Sequence, residues 1–205
     1  MPPEFIYFDL GNVLLTFSRE RQYAQLAEVA GVAPDVVREA LEGRVHDAAE
    51  SGTMSTAEVY EQFCTATGTR PDAAALQRAG NDIFHVNVPM LPLLSQLRRS
   101  GRRMGVLSNT SESHWKFITD GRYRILPNYF EIAILSYEVG AMKPDAKIYA
   151  AAAEAVGVPP VKIFFMDDRE ENVVGAREFG LDAVLYTDTP ALVAELTARG
   201  VALDL

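Results

Sequence analysis

The sequence predicts an α/β protein with a Rossmann-like parallel sheet, helices on both faces of that sheet, and a small helical cap inserted after the first strand. Three features of the 205 residues lead to this prediction. Short apolar segments alternate with helical segments from residue 90 onward, each of those helical segments ends at a glycine, and residues 16–88 contain only helical patterns. We therefore expect a core of residues 1–15 and 89–205 and a cap of residues 16–88.

The first strand is predicted at residues 5–10, an apolar run that contains Asp9 near its end and is followed by Gly11-Asn12. An apolar run of this length that stops at turn residues is typical of a buried strand. Four more runs of this kind lie at residues 103–107, 131–135, 162–166 and 182–185. Strands separated by helical segments indicate a parallel sheet.

The helices that cover this sheet are predicted at residues 90–100, 146–156, 170–179 and 190–199, each followed by a glycine of the kind that ends a helix. Within the cap, helical patterns occupy residues 19–30, 34–41, 56–67 and 72–84, and no convincing strand is present. The third of these opens with Ser55 and Glu58, the two residues of a capping box. Pro89 ends the last cap helix and restarts the core.

Composition excludes several classes of protein. Hydrophobic residues make up 48% of the chain, enough for a core without a structural metal, and the single cysteine, Cys64, excludes an internal disulfide. The net charge of −9, without a stretch rich in Lys and Arg, argues against a nucleic-acid partner. Because there is no apolar run of about 20 residues and no basic leader, we expect a cytoplasmic protein without membrane contact. The oligomeric state is left open.

Polar side chains that carry chemistry follow four of the predicted strands. These are Asp9, then Ser108-Asn109-Thr110, then Lys143-Pro144, and finally Asp167-Asp168. Ligands of an open parallel sheet bind beyond the carboxyl ends of its strands. A carboxylate, a hydroxyl, an ammonium group and a carboxylate pair are therefore expected to converge on one edge.

This set of groups favours phosphoryl transfer. Three carboxylates at one rim repel each other unless a cation joins them, and ligands that are all oxygen select a hard ion such as Mg²⁺. The ion and Lys143 would neutralise a phosphoryl group, while Ser108 and backbone N–H groups orient it. A carboxylate such as Asp9 can attack phosphorus and form an aspartyl-phosphate. Read singly, Asp9 could cap a turn, Asp167 could cap the helix at Glu170, and Lys143 could be a solvated loop lysine.

In this order, the four groups resemble the four motifs of the haloacid dehalogenase (HAD) superfamily, with Asn172 completing the last. The helical insert is similar to the small cap that the family places after strand one. The segments around Asp9-Leu10-Gly11-Asn12 and Ser108-Asn109-Thr110 look most like the bacterial group that contains the α-D-glucose-1-phosphate phosphatase. The phosphatase half of soluble epoxide hydrolase is a more distant relative. The resemblance implies an Mg²⁺-dependent phosphatase of a small phosphorylated metabolite, such as a sugar phosphate.

The resemblance also implies the roles of individual residues. Asp9 would be the nucleophile and a metal ligand, and the Gly11 carbonyl and Asp168 would be the other metal ligands. Asp167 and Asn172 would hold metal-bound water or support these ligands. Catalysis would also use Ser108 and Lys143. The substrate would be bound by Ser108, Asn109, Lys143 and the cap residue His46.

Gly11 is a departure from most HAD phosphatases, which carry there an aspartate that protonates the leaving group and then activates water. The glucose-1-phosphate phosphatase group shares this glycine. General acid–base help is typically worth about 10²–10⁴-fold, so its absence leaves three options: another residue substitutes, the substrate has a good leaving group, or the enzyme is slow. His46, Asp47 and Glu50, in the polar segment between the second and third cap helices, are the natural substitutes. Asn12 stands where the family usually has glycine, and asparagine tolerates the left-handed conformation of such a turn.

Two other functions remain open from the sequence. A 2-haloacid dehalogenase has the same fold, also lacks the second aspartate, and has a Ser-Asn motif like Ser108-Asn109. Those enzymes work without a metal and do not keep an Asp-Asp pair, so Asp167-Asp168 favours a phosphatase, and EDTA would distinguish the two. Gly11 also leaves open a catalytically weak regulatory or binding protein that retains the fold.

Overall fold

The computed structural model describes residues 2–203 of the chain. Its strands, in chain order, are β1 (Phe5–Phe8), β2 (Leu15–Thr16), β3 (His85–Val86), β4 (Met104–Ser108), β5 (Ile132–Leu135), β6 (Ile163–Asp167) and β7 (Asp182–Leu185). Five of them form one parallel sheet in the order β5-β4-β1-β6-β7. The predicted parallel sheet is confirmed, and each of its strands begins or ends within two residues of the prediction.

Twelve helices are present among the described residues. They are α1 (Arg19–Ala30), α2 (Pro34–Leu41), α3 (Arg44–Glu50), α4 (Thr56–Thr67), α5 (Ala73–Asn81), α6 (Met90–Arg99), α7 (Glu112–Thr119), α8 (Ile125–Tyr129), α9 (Ser136–Val139), α10 (Ala146–Val156), α11 (Glu170–Phe179) and α12 (Thr189–Ala198). A single 3₁₀ turn, Pro160–Lys162, precedes β6. Over residues 2–203, none of these helices has both the length and the apolar character needed to cross a membrane.

The central strand β1 places alternate side chains on the two faces of the sheet, as the two-residue period of a strand requires. Ile6 and Phe8 pack in one core with residues of α6 and α12, and Phe5 and Tyr7 pack in a second core with residues of α10 and α11. Helices therefore cover both faces, as predicted. The glycines that follow these four helices all adopt a positive φ and end their helices: Gly101, Gly157, Gly180 and Gly200.

The cap, residues 16–88, has a small core of its own that includes Tyr23, Leu26, Phe63 and Leu76. Three features differ from the prediction. Leu15–Thr16 pairs antiparallel with His85–Val86, so a short ribbon forms where the chain enters and leaves the cap. The polar segment between the second and third predicted cap helices contains a helix, α3. The last cap helix, α5, already ends at Asn81, so Pro89 does not end it. The division of the chain into core and cap at residues 15 and 89 stays a prediction.

Candidate active site

Asp9 lies directly after β1, at the carboxyl edge of the sheet. Its backbone N–H donates to the carbonyl of Met166, so the pairing with β6 continues to this residue. Its side chain is buried, and burial raises the pKa of the carboxyl to about 7 although Lys143 opposes the shift. A cation placed beside Asp9 would favour its ionised form.

Lys143 is fully enclosed and links two strand ends through its ammonium group. Its Nζ donates to Asp9 Oδ1 at 2.6 Å, to Asp167 Oδ2 at 2.5 Å and to the carbonyl of Leu107 at 3.0 Å. Burial disfavours the charged lysine, but the carboxylates of Asp9 and Asp167 outweigh it and raise the pKa of Lys143. The alternative of a solvated loop lysine is therefore wrong.

Asn109 holds the backbone of Lys143 from both sides. Its side-chain Nδ2 donates to the Lys143 carbonyl at 2.9 Å, and its Oδ1 accepts from the Lys143 N–H at 2.7 Å. The Lys143-Pro144 peptide bond is cis. On the other side of this loop, a Cβ on Gly175 would lie 2.8 Å from the carbonyl oxygen of Pro144, so only glycine allows α11 to approach so closely. The sequence indicated neither contact, because residues 109, 143 and 175 meet only in the fold.

Asp167 is also inaccessible to solvent, and every contact it makes supports the site. Its Oδ1 accepts from the backbone N–H of Arg169 and from Asn172 Nδ2, both at 2.9 Å, while its Oδ2 accepts from Lys143. The contact with the Arg169 N–H lies just before α11, whose N-cap is Arg169 and which has no capping hydrogen bond from a side chain. The alternative in which Asp167 caps this helix is therefore wrong, and its carboxylate instead binds the lysine. Asp168 is half-buried, and its Oδ2 accepts from Asn12 Nδ2 at 2.9 Å.

The three aspartates form a cluster that fits a hard divalent cation. One oxygen from each of Asp9, Asp167 and Asp168 lies within 4.8 Å of the others. Lys143 is the ammonium group that contacts two of the three carboxylates, so two negative charges are unmatched when all three are ionised. Oxygen ligands with this excess of negative charge are typical of Mg²⁺ sites.

The turn after Asp9 explains both unusual residues of the first motif. Asn12 adopts a φ of 54°, so the expected left-handed conformation is confirmed. At Gly11, an added Cβ would lie 2.9 Å from Cε1 of the Phe17 ring. Phe17 therefore occupies the space in which an acidic side chain at position 11 would begin.

Ser108 ends β4 and is buried at the same edge, where its hydroxyl donates to the Asn109 carbonyl at 3.3 Å. With Gly11 and Asn109, it lines a small cleft of about 40 Å³ whose opposite wall belongs partly to the cap. His46 and Glu50 of α3 are part of that wall. The structure thus brings the sequence-predicted site residues, with the exception of Asp47, to the sheet edge or to this cleft.

The cap side of the cleft is a hydrogen-bonded group around His46. Its Nε2 lies 2.6 Å from Arg19 Nη2 and 3.1 Å from Glu50 Oε1. Burial opposes ionisation of Glu50, but the contact with His46 and the charge of Arg19 lower the pKa of Glu50 below its usual value. The carbonyl of Glu50 accepts from Ser136 Oγ of the core at 2.5 Å. Asp47, the third residue suggested by the sequence, is exposed and does not line the cleft.

Arg19, Gln22 and His114 also line the cleft and were not selected from the sequence. Gln22 Nε2 lies 3.3 Å from His114 Nε2, and this contact joins α1 of the cap to α7 of the core. Burial lowers the pKa of His114 to about 4, so the ring is neutral at physiological pH. Each of these residues lies in an amphipathic helix, so its position in the cleft could not be predicted from the sequence.

Comparison with known proteins agrees with this geometry. The profile of the haloacid dehalogenase-like hydrolase family matches residues 5–180. A Mycobacterium tuberculosis phosphatase is 33% identical over 121 residues, which cover 55% of this chain and 54% of that protein. The chain thus spans about half the length of this relative. A glyceraldehyde 3-phosphate phosphatase of Methanopyrus kandleri is 25% identical, over 87% of this chain and 82% of its own length.

Among solved structures, a HAD-family enzyme of Bacteroides thetaiotaomicron superposes with a TM-score of 0.79. It is 28% identical, and the superposition covers 90% of this chain and 94% of that one. That crystal structure is a complex with magnesium and inorganic phosphate.

Proposed function

Because the chain belongs to the haloacid dehalogenase-like hydrolase family, we propose that it is a magnesium-dependent phosphatase that acts on small organic phosphate esters. The observation that carries this proposal is the cluster of Asp9, Asp167 and Asp168 around the buried ammonium group of Lys143. A phosphate ester brings negative charge to a site, so it needs a cation there as well as a lysine. The similarity to enzymes named as phosphatases supports the same activity.

We assign the metal to Asp9, Asp168 and the carbonyl of Gly11. When bound, Mg²⁺ would neutralise the phosphoryl oxygens of the substrate. Asp167 lies in the same cluster, but its oxygens already accept hydrogen bonds from Lys143, Asn172 and the Arg169 N–H. It is therefore proposed to support the site rather than to act as a principal ligand.

Asp9 is the proposed nucleophile. Lys143 holds Asp9 Oδ1 and so orients the carboxylate, and Asn109 fixes the backbone of that lysine. A bond would form between an Asp9 oxygen and phosphorus while the ester P–O bond breaks and the departing alkoxide takes a proton from water or from a cap side chain. Water would then attack phosphorus, releasing inorganic phosphate and restoring Asp9. Ser108 and the backbone N–H groups of the loop after β4 are proposed to orient the phosphoryl group.

The cleft indicates where the leaving group of the substrate would lie. It would point toward His46, Arg19 and Glu50, because these residues face Gly11 and Ser108 across the cleft. The resemblance of the motifs favours a sugar phosphate, and this stays a prediction. The cavity beyond the cleft favours a different, more apolar alcohol.

The test is a panel of phosphate esters assayed with Mg²⁺, including nitrophenyl phosphate and α-D-glucose-1-phosphate. We expect turnover of at least one ester, its loss on addition of EDTA, and its return when excess Mg²⁺ is added. Asp9→Asn keeps the size of the side chain but removes the nucleophile, so it should abolish turnover. Hydrolysis of a phosphate ester that persists in EDTA would contradict the proposed need for Mg²⁺, and release of halide from a 2-haloacid would instead support the dehalogenase chemistry that shares this fold.

A further inference from the structure

A second and much larger cavity lies inside the cap, next to the catalytic cleft. Its volume is about 720 Å³, and its walls come from α1, α3, α4, α5 and the first turn of α7. Protein interiors are close-packed, and small-molecule sites typically enclose about 300–1,000 Å³. A cavity of this size is therefore more typical of a binding site than of imperfect packing.

The cavity and the catalytic cleft share one wall. The residues that line both are Arg19, Gln22, His46 and His114. A molecule whose phosphoryl group lies beside Asp9 and Ser108 would pass between these four polar side chains and extend into the cavity. The cavity is thus placed to receive the part of the substrate that leaves.

Most of the surface that lines the cavity is apolar, although some hydroxyl and amide side chains, such as Thr56 and Gln77, also line it. Leu26, Phe63 and Leu76 are buried residues of the cap core that also line it, and Met54 lies half-buried in the loop between α3 and α4. A sugar placed here would exchange hydrogen bonds with water for contacts with carbon atoms, which is unfavourable for each unpaired hydroxyl.

The charged side chains around the cavity already form hydrogen bonds or ion pairs with other residues of the chain. Glu58 closes the capping box of α4 with Ser55, and Glu112 pairs with Lys116 at 2.6 Å. Among the described residues that line the cavity, Arg19 is the one arginine or lysine, and it contacts His46 at the catalytic end. A second phosphate or a carboxylate elsewhere in the cavity would therefore find no lysine or arginine side chain.

We propose that the substrates are phosphate monoesters of bulky, uncharged and mostly apolar alcohols, such as alkyl, isoprenoid or aromatic alcohols. The phosphoryl group binds at the sheet edge and the apolar group fills the cap cavity. This inference rests on the proposed phosphatase function and adds the chemistry of the leaving group.

A series of n-alkyl monophosphates from ethyl to decyl, assayed below their micelle concentrations, tests the inference. All are esters of primary alcohols, so the acidity of the leaving group stays nearly constant while the apolar length grows. We expect kcat/KM to rise by about three- to fourfold per added methylene until the cavity is full. Glucose 6-phosphate, also a primary ester, should be a poorer substrate than hexyl phosphate.

A flat or falling alkyl series, or a preference for glucose 6-phosphate over hexyl phosphate, would overturn the inference while leaving the phosphatase proposal intact. If neither these esters nor nitrophenyl phosphate is hydrolysed, the proposed function itself fails. The two failures are therefore distinguishable in one data set with the wild-type protein.

Two variants locate the effect in the cavity. Met54→Lys introduces a charge into the wall of the cavity and should lower the ratio of kcat/KM for octyl phosphate to that for ethyl phosphate by at least tenfold. Ala66→Lys places the same charge on the exposed face of α4, outside the cavity, and should keep the wild-type ratio. Equal ratios in the two variants would contradict the assignment of the cavity.

Discussion

The contact between Gly11 and Phe17 leads to a prediction about the missing acid. A Cβ at position 11 would lie 2.9 Å from Phe17 Cε1. The ring would have to move by roughly 0.6 Å or more, since non-bonded carbon atoms are normally about 3.5–4.0 Å apart. Phe17 is half-buried, with its ring centroid 6.0 Å from that of Phe84. Overpacking of this kind costs about 1–3 kcal/mol, so Gly11→Ala should lower the free energy of unfolding by that amount.

Gly11→Asp should have the same steric cost and gain little activity, because the ring displaces the new carboxylate. In Gly11→Asp combined with Phe17→Leu, the ring edge is removed and the acid has room. The double variant should then hydrolyse simple alkyl phosphates faster, by up to the about 10²–10⁴-fold that general acids supply. Nitrophenyl phosphate should gain little, because its phenolate leaves without a proton. Phe17→Leu alone is the control for the loss of the ring.

The assay is kcat/KM across esters of graded leaving-group acidity, with urea unfolding of each variant and a magnesium titration of the double variant. The wild-type rate should depend steeply on the acidity of the leaving alcohol. A flat wild-type series would mean that His46 or Glu50 already supplies the proton, and an unchanged unfolding free energy in Gly11→Ala would refute the contact with Phe17.

Three more predictions follow from buried groups and close contacts. Lys143→Met leaves Asp9 and Asp167 without their shared cation. Urea unfolding without metal should show that the free energy of unfolding falls by about 3–5 kcal/mol. A fall of less than about 1 kcal/mol would contradict the role of the ion pairs. Gly52→Ala would place a Cβ 2.2 Å from the Tyr137 carbonyl oxygen, whereas a Cβ on Gly43, which has a similar positive φ, would meet nothing within 4 Å. Gly52→Ala should therefore raise KM more than Gly43→Ala does. Equal effects on KM would exclude the contact between cap and core. Because burial lowers the pKa of His114 from 6.5 to about 4, the unfolded chain binds more protons in that range, and wild-type stability should fall as the pH drops from 6.5 to 4. The wild-type free energy of unfolding should fall by at most about 3 kcal/mol between these pH values on account of His114, because each pKa unit corresponds to about 1.4 kcal/mol. Urea unfolding at pH 6.5 and pH 4 should show that this fall is absent in His114→Phe. An unchanged pH dependence in the variant would assign the fall to other groups.

The sequence predicts the sheet well because its strands are short apolar runs between clear turn signals, and because glycines end the helices between them. The convergence of Asp9, Ser108, Lys143 and Asp167 follows from the same reasoning, since the ends of parallel strands share one edge. Burial of Lys143 could not be predicted, because it depends on two carboxylates that are 134 and 24 residues away in the chain.

Short elements and contacts between distant segments were the features that the sequence did not reveal. The helix α3 has seven residues, of which several are small or charged, so it shows no apolar periodicity. The ribbon of β2 and β3 contains two residues per strand, fewer than a pattern of alternation requires. The ring of Phe17 near Gly11 and the apolar cavity of the cap depend on the packing of the cap against the core.

The central claim is that Asp9 carries the phosphoryl group during turnover, and the most direct measurement is mass spectrometry of the acid-quenched enzyme. The protein is mixed with Mg²⁺ and a phosphate ester, quenched with acid while turnover is in the steady state, and digested. The digest is searched for peptides that carry one added phosphoryl group. We predict that the peptide containing Asp9 carries it, that hydroxylamine removes it as expected for an acyl phosphate, and that Asp9→Asn shows none. A phosphoryl group on a different residue that turns over at the catalytic rate would contradict the account.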